Sequence, residues 1–208
     1  MTPGSADLLL VVDVQVDFLP GGALPVPDGD AVIGPINALQ PRFRHVDLTQ
    51  DWHPPDHVSF ADNHPGRAPF ASVALPYGPQ VLWPRHCVQG SPGAGFAPGL
   101  DTDRAGLVIR KGIHPHIDSY SAFLEADRAT RTGLAGALTD RGITRIVLCG
   151  LATDFCVAWS ALDARDAGFD VWVVEDAVRG IDVNGSLARA WARMETAGVR
   201  RIASAAIA

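Results

Sequence analysis

The sequence is short of cysteine, of charge and of long apolar runs, and each shortage closes off a class of function. Three cysteines in 208 residues are an odd and low number. They do not build a disulfide framework, and they fit a reducing, cytoplasmic setting. No apolar run approaches the length that crosses a membrane, and Leu8–Val12 is too short and wrongly flanked for a signal peptide. There is no Lys/Arg block, and a formal net charge of −6 gives no encouragement to nucleic-acid binding. Charged residues make up 19% of the chain against 47% hydrophobic, a globular composition and not a disordered one. Internal repeats, low-complexity tracts and linkers are missing as well. Residues 1–208 therefore read as a single domain, long enough for a sizeable core.

What is present is an alternation of strands and helices. Asp7–Val14, His45–Thr49, Leu107–Arg110, Arg145–Gly150, Phe169–Val174 and Val199–Ala203 read as strands. Helices are expected over Asp28–Leu39, Gly133–Asp140, Thr153–Gly168 and Asn184–Ala197, with a weaker helical pattern over Ser119–Arg128. Such alternation makes βαβ units. The fold class is α/β, a three-layer αβα arrangement around a six-stranded, mainly parallel sheet. The stretch at about 51–106 is rich in Pro and Gly and shows no convincing helix. A long irregular segment inside a compact domain is uncommon and usually functional.

Ligand sites of open α/β sheets lie beyond the carboxyl ends of the strands. Those ends deliver Asp13, then Asp51 with His53, then Lys111, then the turn leading to Cys156, all to one edge of one sheet. Thr153 is the expected N-cap of the next helix, with Asp154 in its first turn against the dipole. Phe155, Ala158, Trp159 and Leu162 recur along that helix at the spacing of an apolar face. Cys156 shares the first turn, where unpaired N–H groups lower a thiol's pKa. A free Cys is otherwise an inert, buried residue, and Cys87 and Cys149 read as packed thiols. A carboxylate, an ammonium and a thiol suit nucleophilic acyl transfer, although the usual imidazole base is absent from this trio. The Gly150-Leu151-Ala152 turn could aim backbone N–H groups at a developing oxyanion. Asp51-Trp52-His53 returns two donors to one side of a strand, and a distant His86 comes after Trp83-Pro84-Arg85. One carboxylate and two imidazoles suit Zn²⁺, Fe²⁺ or Mn²⁺ with positions left open. His57 is an optional extra ligand, while His45, His64, His114 and His116 read as ordinary surface or core residues.

Six stretches in order resemble the nicotinamidases of the isochorismatase-like cysteine hydrolases: VVDVQVDFLPGGAL (11–24), QDWHP (50–54), WPRHCVQGSPGA (83–94), RKG (110–112), DSYSAF (118–123) and GLATDFCV (150–157). The resemblance implies that family's hydrolase fold and hydrolysis of nicotinamide through a cysteine thioester, with pyrazinamide also accepted. It implies Asp13, Lys111 and Cys156 as a catalytic triad and Asp51, His53 and His86 as ligands of one divalent ion, zinc first, with iron or manganese as alternatives. It further implies a cis Leu151–Ala152 peptide, backbone N–H groups of Ala152 and Cys156 as the oxyanion hole, and Phe18, Leu24, Trp83 and Tyr120 around the ring. The implied partner is a small molecule, neither nucleic acid nor membrane. The sequence leaves open monomer against homo-oligomer. It departs from the family's pattern in GIHPHI, between Lys111 and Asp118, where His114-Pro115-His116 falls. The loop from Ser59 to Tyr77 lies outside the matched stretches, and a fourth ligand from it stays open. A different small amide or carbamoyl substrate, or a metal-and-thiol binding protein without turnover, are the rival readings.

Overall fold

The computed structural model describes all 208 residues. Its strands are β1 (Asp7–Val12), β2 (His45–Asp51), β3 (Ser72–Leu75), β4 (Gly78–Val81), β5 (Ala105–Lys111), β6 (Arg145–Leu151), β7 (Asp170–Arg179) and β8 (Arg200–Ile202). Its α-helices are α1 (Ile33–Leu39), α2 (Leu134–Asp140), α3 (Ala158–Asp166) and α4 (Ser186–Thr196). Six strands form one sheet in the order β5-β2-β1-β6-β7-β8, with every pair parallel. No helix is long and apolar enough to cross a membrane.

The run DLLLVV explains why β1 sits in the middle. All six of its residues are buried, as a strand covered on both faces requires. Alternation then splits them: Leu9 and Val11 pack with Val32, Ile36 and Leu39 around α1, while Leu8, Leu10 and Val12 pack with α2, α3 and α4. Removing one of these leucines to alanine costs ~2–5 kcal/mol in a core of this kind. From β1 the chain winds outward to β2 and β5, then returns across β1 to β6 and winds the other way. That reversal opens a crevice at the carboxyl ends of β1 and β6. The two strands run so close there that a Cβ on Gly150 (φ +112°) would lie 2.1 Å from the Val12 carbonyl oxygen. Only glycine fits that position.

Several elements differ from the sequence reading. Only Ile33–Leu39 of the Asp28–Leu39 segment is α-helical, because Gly29–Val32 winds as a tighter 3₁₀ turn. Ser119–Arg128 is not helical. Its backbone is tied instead to distant partners, with Ala126 N–H on the Asp118 carbonyl and Glu125 N–H on that of Thr130. β7 runs on to Arg179, since the strand continues past a register shift opposite Leu148–Gly150. The irregular stretch at 51–106 contains an antiparallel ribbon, β3–β4, turned at Pro76-Tyr77. The buried residues of α3 are Ala158, Ser160, Ala161, Asp163 and Ala164, with Trp159 and Leu162 only partly covered. Small residues face the sheet there because the helix lies close against it, and the larger side chains are left at the rim.

Candidate functional site

Asp13 comes just after β1 in a left-handed conformation (φ 47°), which turns the chain at the mouth of the crevice. Its N–H donates to Thr49 Oγ1 at 3.1 Å, and the same hydroxyl donates back to Asp13 Oδ1 at 2.6 Å. β5 ends on Lys111, the only lysine in the chain, and this side chain is wholly buried. Its ammonium lies 2.8 Å from Asp13 Oδ2, 3.1 Å from the Ser119 carbonyl oxygen and 3.4 Å from Cys156 Sγ. It also contacts Asp51 Oδ1. A buried ammonium is costly unless its donors are satisfied, and here two carboxylates do so. Burial opposes the Lys111 charge, yet Asp13 and Asp51 outweigh it and raise the pKa well above that of an ordinary lysine.

The thiol behaves differently from the sequence expectation. The turn Thr153–Val157 is wound as a wider π-helix, so its N-cap is Ala152 and Thr153 is the first helical residue, not the cap. Asp154 is drawn away from the helix start: its carboxylate accepts from Ile181 N, Asp182 N and Ser186 Oγ. Cys156 is 6% exposed, and burial lifts its pKa well above that of a free thiol despite Lys111, with Asp13 and Asp51 pushing the same way. Burial likewise raises Asp13 from the usual carboxylate range, against the opposing pull of Lys111. The proton is thus held in a buried acid–thiol pair beside a fixed positive charge.

Asp51 connects this group to a second one. Its Oδ2 lies 3.6 Å from His53 Nε2 and 4.0 Å from His86 Nε2, and all three residues are buried. Each imidazole has its Nδ1 on a backbone carbonyl, His53 on Gly112 (3.0 Å) and His86 on Pro84 (2.7 Å). With Nδ1 carrying the proton, the lone pair of Nε2 faces Asp51, the arrangement that metal-binding histidines share. Burial pushes His86 down to about 4, which keeps it neutral and able to ligate, whereas at His53 burial is outweighed by Asp51, which raises that imidazole's pKa. The residues present therefore fit a divalent ion. Because they share Asp51 with Lys111, the candidate ligands and the thiol group form one connected cluster, not two separate ones. His57 stacks 4.2 Å from His53, but its Nδ1 is engaged by Ser59 Oγ (2.7 Å) and its Nε2 by the Ile117 carbonyl (3.2 Å). Both of its nitrogens are occupied. His114 and His116 are exposed, and GIHPHI meets the cluster through the backbone carbonyls of Gly112 and Ile117.

Phe18, Leu24, Trp83 and Tyr120 all line one narrow pocket whose walls include Asp51, His53, His86, Ala152 and Cys156. The Leu151–Ala152 peptide is cis. An isochorismatase domain profile matches residues 7–206. The chain belongs to that family. A nicotinamidase from Acinetobacter baylyi is 57% identical over 94% of this chain and 92% of its own length. Among solved structures, PnC1 from L. infantum in complex with nicotinate superposes with a TM-score of 0.88, at 42% identity over 100% of this chain and 98% of that one. The pyrazinamidase of Pyrococcus horikoshii in complex with zinc gives 0.77, at 36% identity over 95% and 99%.

This isochorismatase domain also uses residues that the sequence reading passed over. Gln15 is fully buried and hydrogen-bonds the main chain of Asp51 at both ends, Oε1 accepting from Asp51 N (2.8 Å) and Nε2 donating to Asp51 O (2.9 Å). Asp17 accepts from Cys87 N at 2.7 Å and so ties the Phe18 loop to the turn after His86. Asp118, Ser119, Phe155 and Ile181 complete the pocket wall. Gln15 and Asp17 lie in the matched DVQVDF stretch, which was the available signal. Ile181 had none, because it lies outside the matched stretches, in the loop after β7 that hydrogen-bonds Asp154.

Proposed function

We propose that this protein is a nicotinamidase that hydrolyses nicotinamide to nicotinate and ammonia, accepts pyrazinamide, and works in the cytoplasm. The observation that carries the reading is the buried Asp13–Lys111–Cys156 cluster, joined through Asp51 to two histidines on the wall of an aromatic-lined pocket. The relatives named above, one with nicotinate and one with zinc, favour this substrate and this ion.

Asp13 takes the Cys156 proton as the thiolate attacks the carboxamide carbon, and Lys111 holds the carboxylate and sulfur together. The negative oxygen that forms is received by backbone N–H groups of Ala152 and Cys156 at the helix start. Losing a donor of this kind typically costs ~2.7–4 kcal/mol in the transition state. Asp13 returns the proton to nitrogen as the C–N bond breaks, and ammonia leaves a thioester. Asp13 then deprotonates a water that attacks the thioester, releasing nicotinate and restoring the thiol. Phe18, Leu24, Trp83 and Tyr120 hold the ring, and aromatic side chains meeting at steep angles suit a flat heterocycle. A divalent ion held by Asp51, His53 and His86, zinc with iron or manganese as alternatives, would supply a Lewis-acidic point for the ring nitrogen.

The test is ammonia release from nicotinamide by the purified protein, before and after chelation. Cys156→Ala is expected to reduce turnover by at least ~10³-fold while bound metal stays unchanged. Retained turnover in that variant, or turnover of small carbamoyl compounds in place of nicotinamide, would overturn the reading.

A further inference from the structure

Both tyrosines of the chain, Tyr77 and Tyr120, meet one buried glutamine on the β3–β4 ribbon. Gln80 is 2% exposed although its strand lies outside the main sheet. Tyr77 Oη accepts from Asp118 N (3.3 Å) and donates to Gln80 Oε1 (3.0 Å). This fixes the amide so that Gln80 Nε2 donates to Asp118 Oδ2 at 2.5 Å, and it also lies 3.3 Å from Tyr120 Oη. The ribbon therefore grips Asp118 at its backbone and at its carboxylate, closing a ring of hydrogen bonds. Asp118 is itself 2% exposed, so an unmade bond there would leave a buried polar group unpaired.

The gripped segment runs directly into the site. Ser119 supplies the carbonyl that Lys111 donates to, and Tyr120 forms the pocket wall, accepting from Trp83 Nε1 at 3.0 Å. We infer that Gln80 and Tyr77 form a latch by which the β3–β4 ribbon positions residues 118–120, making Gln80 a positioning residue that sets how tightly the pocket closes on its ring substrate. Gln80 does not line the pocket, so it acts through Asp118 and Tyr120. Lys111 keeps both of its carboxylate partners without the latch, so the effect falls on substrate binding more than on the chemical step. The inference rests on the proposed nicotinamide hydrolysis for its kinetic arm only.

Two volume-conserving variants, Gln80→Met and Tyr77→Phe, and their double variant test it in the whole protein. Each single variant is expected to speed amide hydrogen exchange at 118–120 by about tenfold, the loss of roughly one net hydrogen bond, and to lower the thermal midpoint by about 3–6 °C. KM for nicotinamide is expected to rise about tenfold with kcat within about threefold, and the double variant to do little more than either single one. Unchanged exchange at 118–120 in both variants would overturn the latch whatever the kinetics. Additive effects of the pair would overturn it as a single unit. A wild-type protein that fails to turn over nicotinamide refutes the proposed function, and the exchange measurement then decides the latch by itself.

Discussion

Replacing Gly112 with alanine tests the proposed metal pocket without touching any of its proposed ligands. Gly112 sits at φ +63°, and an added Cβ would lie 2.3 Å from His53 Cε1 and 2.5 Å from its Nδ1. Alanine in the left-handed region costs ~1–2 kcal/mol by itself. The ring would also have to retreat by roughly 1 Å to restore van der Waals contact, since carbon atoms meet comfortably near ~3.5 Å. That movement breaks the Nδ1 bond to the Gly112 carbonyl, which holds Nε2 toward Asp51. Losing such an orienting partner typically lowers metal affinity 10–100-fold, about 1.4–2.7 kcal/mol. A zinc titration against a competing chelator reads the affinity, and calorimetry on the metal-free protein reads the rest as a fall of about 2–8 °C in Tm. Gly136→Ala in α2, where nothing lies within 4 Å of the new methyl, is the control. It is expected to leave affinity alone and to raise stability by ~0.5–1 kcal/mol. Gly112→Ala protein with wild-type zinc affinity would refute the claim that this carbonyl and this lack of a side chain set the ring.

The buried charges give three further expected outcomes. The acid limb of kcat/KM is expected above the ordinary aspartate value of 3.8, because burial raises Asp13 and only its ionised form can take the thiol proton. Thr49→Val removes a bond to that carboxylate and should move the limb higher still; a downward shift in the pH–rate profile would contradict the assignment. Burial, with Asp127 adding to it, pushes Glu125 up to about 7, and its Oε2 has no hydrogen-bond partner. The folded protein then binds the extra proton between pH 4.5 and 7, so stability falls as pH rises through that window. Allowing for partial solvent screening, Glu125→Gln should gain ~1–2 kcal/mol at pH 8 and nothing at pH 4, read from urea midpoints. Asp154→Ala strips partners from Ile181 N, Asp182 N and Ser186 Oγ together and should cost ~2 kcal/mol or more, whereas Ser186→Ala, which removes one bond, should cost ~1 kcal/mol. The reverse order in equilibrium unfolding would show that Asp154 does not anchor this loop.

The central sheet was legible because its strands carry their own pattern. DLLLVV and RIVLCGL are apolar at nearly every position, which only a strand covered on both faces tolerates, and the acids and the lysine stand where such runs stop. Helix ends were less legible. Thr153 has the chemistry of an N-cap, but the wider first turn places Ala152 there and turns Asp154 toward the loop after β7. Ser119–Arg128 has helical spacing, yet its backbone groups find better partners across the loop. Local propensity yields when tertiary partners satisfy the same groups.

The sequence by itself determined which residue types arrive at the carboxyl edge of the sheet, because strand endings and the order of motifs are local properties of the chain. Asp13 and Cys156 follow strands of near-continuous apolar pattern, and Asp51 and Lys111 close β2 and β5. Only the tertiary structure decided their ionisation and their connection. A thiol that helix position alone would acidify is instead kept protonated, because burial beside two carboxylates outweighs the lysine. One aspartate joins the proposed metal pocket to that thiol, and one ribbon outside the sheet reaches in to hydrogen-bond Asp118. Such energies depend on distance and on the exclusion of water, and both come into being only when segments far apart in the chain meet.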